Sequence, residues 1–123
     1  MTRRILIVDD EVDICEIVQA ALEEVAGWQA VIATSGTEGL QIAQTQVLDA
    51  ILLDVSMPGM DGLQMLEALK GNPSTQHIPV ILLTSKVLAR DRSRFAPLAI
   101  AGVLTKPFSP LDLGQEIAQR LNW

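Results

Sequence analysis

The chain has 123 residues, 49% of them apolar and 20% charged, with 3% aromatic residues and no tyrosine. That is the size of one domain, and its apolar content excludes intrinsic disorder. Fifteen acids against nine lysines and arginines give a net charge of −6; this is the wrong sign for neutralising a phosphate backbone, so no direct nucleic-acid partner is expected.

Cys15 is the one cysteine, so the chain can build neither an internal disulfide nor a thiolate zinc site. No apolar run approaches the ~20 residues of a membrane span. The run Ile5–Val8 is also too short for a signal-peptide core before Asp9-Asp10-Glu11 interrupts it. A cytoplasmic protein without membrane insertion is expected, one domain over residues 1–123 with no output domain.

In chain order, β1 is predicted over Ile5–Val8. A helix α1 follows, with Ile14, Ile17, Val18, Ala21, Leu22 and Val25 as one continuous apolar stripe and Gly27 at its end. Next come β2 over Ala30–Ala33, α2 over Gly36–Ala43 and β3 over Ala50–Leu53. The leucines 63, 66 and 69 mark α3, which stops before Gly71-Asn72-Pro73. The remaining elements are β4 over Pro79–Leu83, a weak α4 over Val87–Phe95 ended by Pro97, and β5 over Gly102–Leu104. Ser109 as N-cap and Pro110 at the first helical position open α5, with Leu113, Ile117 and Leu121 as its stripe.

Unbroken apolar strands suit a sheet covered on both faces, and strict β-α alternation means a parallel α/β fold. The doubly wound, flavodoxin-like order 2-1-3-4-5 is expected, with a ligand outside the strand ends where the order reverses, between β1 and β3. Asp9 and Asp10 end β1, Asp54 ends β3, Thr84 and Ser85 end β4, and Thr105 and Lys106 end β5. Three carboxylates converging there need compensation. A hard cation held by oxygens, Mg²⁺ in preference to Ca²⁺, is one source, and the Lys106 ammonium is another. Carboxylate, hydroxyl, ammonium and metal around one point suit phosphoryl transfer, with an aspartate as nucleophile. Asp54, on the central strand, is assigned that role.

The segments Val8-Asp9-Asp10-Glu11, Leu53-Asp54-Val55-Ser56-Met57-Pro58-Gly59-Met60-Asp61-Gly62, Leu83-Thr84-Ser85 and Leu104-Thr105-Lys106-Pro107-Phe108 resemble the response-regulator receiver (CheY-like) domain over essentially the whole chain. The resemblance implies a two-component switch rather than an enzyme acting on other molecules. Asp54 would accept a phosphoryl group from the phospho-histidine of a sensor kinase or phosphotransfer protein. Asp10 would bind Mg²⁺ directly, Asp9 largely through water, and the Ser56 backbone carbonyl would add a ligand. Thr84 and Lys106 would each bind a phosphoryl oxygen. The Lys106-Pro107 peptide would be cis, and the signal would pass to a downstream protein target.

The family's aromatic switch position is held here by Val103, so switching is expected to run through Thr84, Ser85 and the loop after β4 instead. Lys86, two residues after Thr84, is expected to alter autodephosphorylation. Lys86, Arg90, Arg92 and Arg94 form a local basic cluster; a solvated helix face is one reading, and a homodimer surface through α4-β5-α5 is the other. His77, without a companion histidine, reads as a surface residue, and Cys15, Met57, Met60 and Met65 read as packing. A Mg²⁺-dependent phosphatase would need a second aspartate where Ser56 stands. A receiver that binds partners without phosphorylation is the alternative function.

Overall fold

The structure is a computed structural model that describes residues 2–55, 57, 62–85 and 98–123. Five parallel strands, β1 (Arg4–Val8), β2 (Gln29–Ala33), β3 (Ala50–Asp54), β4 (Val80–Ser85) and β5 (Gly102–Lys106), form one sheet in the order β2-β1-β3-β4-β5. Alternation along each strand explains why the runs are apolar throughout. Leu6, Val8, Ile51, Leu53, Val80 and Leu82 face a core shared with Ala43 of α2 (Gly36–Thr45) and Met65, Leu66 and Leu69 of α3 (Gly62–Lys70). Ile5, Ile7, Leu52, Ile81 and Leu83 face the other layer, with Cys15, Val18 and Leu22 from the first helix and Leu113 and Ile117 from α5 (Leu113–Leu121). Met57 and Met65 are buried in the first core and His77 is exposed, as expected. Among the described residues, no helix is long and apolar enough to cross a membrane. The predicted α4 and the basic residues Lys86, Arg90, Arg92 and Arg94 lie outside the described residues, as do Ser56 and Met60.

The α1 stripe needs correction. The helix is α-helical over Val12–Ala20 and continues as a π-helical turn over Ala21–Val25. Cys15, Val18, Ala21 and Leu22 are buried, while Ile17 and Val25 are exposed. Ile17 lies about 100° round the helix from Val18, at the edge of the covered arc. Regular α geometry would put Val25 under the sheet, but the underwound i→i+5 turn carries it out. Gly27 ends the segment at φ +74°, where a glycine is needed.

The start of α2 carries a side-chain cap, and the start of α5 differs from expectation. Ser35 Oγ accepts from the Glu38 N–H at 3.1 Å and Glu38 Oε1 accepts from the Thr34 N–H at 3.1 Å, a variant of the reciprocal Ser-x-x-Glu cap. By contrast α5 spans Leu113–Leu121, not starting at Pro110. Ser109 offers its carbonyl, accepting from the Asp112 N–H at 3.1 Å, so residues 110–112 close a separate turn before the helix begins. The far end of α5 stops at left-handed Asn122 (φ 58°), where the Trp123 N–H donates to the Ala118 carbonyl at 2.9 Å. Trp123 then packs edge-on against Trp28 at 5.2 Å between ring centres, with the Arg3 guanidinium 4.2 Å above its own ring.

Candidate functional site

The strand ends converge as the order reversal requires. The Asp9 N–H donates to the Ala33 carbonyl at 3.1 Å, continuing the β1–β2 ladder by one residue. Held there, the Asp9 side chain turns inward and is fully buried. Its two oxygens are separately engaged: Oδ1 accepts from the Glu11 N–H at 2.9 Å and Oδ2 from Lys106 Nζ at 2.9 Å. Asp54 closes β3, next to β1, and is 4% exposed; its Oδ2 lies 3.7 Å from Lys106 Nζ. Thr84 sits one position beyond the Asp54↔Leu83 pair and faces Thr105 across the β4–β5 ladder, with Ser85 facing Lys106. The Lys106-Pro107 peptide is cis.

Thr84 is 2% exposed, and among the described residues its Oγ1 has no hydrogen-bond partner. Buried hydroxyls are nearly always satisfied, and an unmet one costs about 1–3 kcal/mol. It stands on the same rim as the Lys106 ammonium. Two donors there can meet an incoming anion.

One ammonium faces three carboxylates, because Glu11 Oε1 also lies 3.3 Å from Lys106 Nζ. Burial lowers the Lys106 pKa, but the Asp9 hydrogen bond and the charges of Asp54, Asp9 and Glu11 raise it by more, leaving it above its ordinary 10.5. Lys106 is therefore an ammonium at any physiological pH. Its tie contributes stability in full below the ordinary value and loses it only as pH climbs through the higher folded one. Nearby, Cys15 Sγ donates to the Asp9 carbonyl at 3.1 Å. Burial, then the charge of Asp9, pushes its thiol up to about 11, so it stays protonated and unreactive at neutral pH.

Of the residues picked out in the sequence, Asp9, Asp54 and Lys106 meet directly, and Thr84 shares their rim. Asp10 is exposed and, among the described residues, belongs neither to the Lys106 ion pairs nor to the acid cluster. The third carboxylate is Glu11, whose oxygen lies within 4.8 Å of those of Asp9 and Asp54. The signal for it was the unbroken run Asp9-Asp10-Glu11, in which the turn after β1, and not residue type, decides which side chain points in. Val103 is half-buried against the first core, and the Arg120 Nε–H donates to its carbonyl at 3.3 Å.

The ligand set suits magnesium. Among the described residues the cluster offers carboxylate oxygens, which favours a hard cation over a thiophilic one, and its negative charge exceeds what Lys106 neutralises.

Comparison with known proteins identifies the family. The family model described as the response regulator receiver domain matches residues 5–118. The phosphate regulon transcriptional regulatory protein PhoB of Klebsiella pneumoniae is 40% identical over 113 residues, which cover 92% of this chain and 49% of that protein. The chain thus spans about half the length of the curated relatives it matches. The chemotaxis response regulator CheY4 of Vibrio cholerae superposes with a TM-score of 0.88 at 28% identity, over 98% of this chain and 99% of that one. The receiver domain of a sensor histidine kinase from Pseudomonas aeruginosa, with a magnesium ion coordinated in its active site cleft, shares the fold at a TM-score of 0.86 and 24% identity, over the whole of both chains.

Proposed function

The chain belongs to the response regulator receiver domain family, and from that premise we propose that it is a phospho-accepting switch in a two-component pathway, with Asp54 as the acceptor. The observation that carries this reading is the buried Asp54 carboxylate beside the Lys106 ammonium, on a rim that also holds the Thr84 hydroxyl, unpartnered among the described residues. An Asp54 oxygen attacks phosphorus in a phospho-histidine of a sensor kinase or phosphotransfer protein. The new P–O bond forms as the P–N bond breaks, and the imidazole leaves with the electron pair. Lys106 and Thr84 donate to phosphoryl oxygens, placing positive and dipolar charge where negative charge accumulates. Asp9 and Asp54 would hold Mg²⁺, with Asp10 and the Ser56 backbone carbonyl as the further ligands that the family resemblance implies. When bound, the metal supplies neutralisation of the phosphoryl oxygens.

The switch acts on itself and on no other substrate. Its output is a changed surface for a downstream protein, at a cytoplasmic location. That relatives of twice the length carry the name of transcriptional regulators supports an output reached through a further protein or domain, and the acidic charge of this chain argues against direct contact with nucleic acid.

The test is incubation with acetyl phosphate and Mg²⁺ followed by intact mass. One adduct of about 80 Da per chain is expected. Absence of an adduct overturns the reading in favour of a binding module that works without phosphorylation, and continued turnover of many equivalents overturns it in favour of a phosphatase. Within the same experiment, Thr84→Val is expected to slow adduct formation about tenfold, because a donor to a charged group is lost. Removal of the unmet hydroxyl should meanwhile leave thermal stability equal or higher by about 1 kcal/mol, which calorimetry checks.

A further inference from the structure

Lys106 is shared unequally among its three acids, at 2.9 Å from Asp9, 3.3 Å from Glu11 and 3.7 Å from Asp54. Asp9 and Asp54 are fixed at strand ends and buried, whereas the Glu11 side chain is 59% exposed. Glu11 occupies the N-cap position of α1 yet makes no side-chain cap bond there. Glutamate lies outside the residues that cap well, and its carboxylate reaches instead to β5, 95 residues along the chain. A side chain at a helix start thus spends its charge on the ammonium of the site.

We propose that Glu11 is a releasable positioning residue: it holds Lys106 at the mouth of the acid pocket while Asp54 is unmodified, and surrenders it once Asp54 carries a phosphoryl group. This rests on Asp54 being the phospho-acceptor. A phosphoryl group brings roughly one more negative charge and new acceptor oxygens within reach of Lys106. Of the three acids, only Glu11 can turn into water without leaving a buried charge behind. The arriving group therefore takes Lys106 from Glu11 and repels the Glu11 carboxylate. In the resting protein the same contact restrains the lysine that the phosphoryl group needs.

The experiment follows the native protein, Glu11→Gln and Glu11→Asp with acetyl phosphate and Mg²⁺ by intact mass over a range of ionic strength. Glu11→Gln is expected to gain the adduct about twofold to fivefold faster at low salt, the size of effect an exposed ion pair carries. Its advantage should close toward unity at high salt, where the native contact is screened. Glu11→Asp, one methylene too short for the contact, should follow Glu11→Gln. Native and Glu11→Gln rates that are equal, a rate ratio indifferent to salt, or an aspartate that behaves as native would each overturn the role. A native protein without adduct brings down the acceptor reading and this role together, whereas adducts formed at equal rates bring down the role alone.

Discussion

Asp54→Asn is expected to yield a folded protein that gains no adduct from acetyl phosphate and Mg²⁺ in intact mass spectra. Asparagine keeps the shape of the side chain but not its negative oxygen, and an amide is a poor nucleophile toward phosphorus. The surroundings survive the change. Lys106 keeps its shorter contacts to Asp9 and Glu11, and the Asp9 hydrogen bonds do not involve residue 54. Circular dichroism and the unfolding midpoint should therefore resemble those of the native chain. Retention of the full adduct in Asp54→Asn would mean that another side chain is modified, and the phosphoryl chemistry would have to be relocated.

Gly62→Ala is expected to be more damaging than Gly39→Ala or Gly27→Ala. Gly62 is the first residue of α3, and its N–H donates to the Val55 carbonyl at 3.1 Å. A Cβ there would lie 2.8 Å from Val55 Cα and 2.9 Å from the Asp54 carbonyl carbon, and would press on the Asp54 carbonyl oxygen. All three are backbone atoms at the strand end that carries the acceptor, so no side chain can swing aside. The cost should be about 3 kcal/mol or more, and the midpoint should fall by roughly 10 °C. Gly39→Ala should cost less, since its nearest neighbours are the ends of the Met65 and Val8 side chains. Gly27→Ala meets nothing within 4 Å and pays only for its left-handed backbone, about 1 kcal/mol. Thermal unfolding of the three variants checks the ranking. A Gly62→Ala protein as stable as Gly27→Ala would show that the start of α3 can move away from β3. In a folded Gly62→Ala protein, slowed adduct formation is also expected, because Asp54 would shift with its backbone.

The location of the site was legible before any coordinates. Five uninterrupted apolar runs require a sheet covered twice, and the polar residues Asp9, Asp54, Thr84 and Lys106 each follow such a run. Strand ends in a parallel sheet share one edge, so the order reversal between β1 and β3 assembles these residues without detailed packing. The cap formed by Ser35 and Glu38 at the start of α2 is likewise local in the sequence.

What the amino-acid order determined, then, was everything carried by periodicity and by strand-end chemistry: the layers, the strand order, and the placing of aspartates, a threonine and a lysine on one rim. The three-dimensional packing alone decided that Asp9 and Glu11 of the three consecutive acids reach the lysine, where α1 unwinds so that Val25 leaves the core, and where α5 begins. The physical reason is one of range and rotation. Residues in a turn, unlike those in a strand, follow no fixed alternation, so Asp9, Asp10 and Glu11 are equivalent until the Asp9–Ala33 hydrogen bond and the lysine 97 positions away orient them. The rotation of a helix face likewise depends on the sheet it covers, and no local propensity encodes that neighbour.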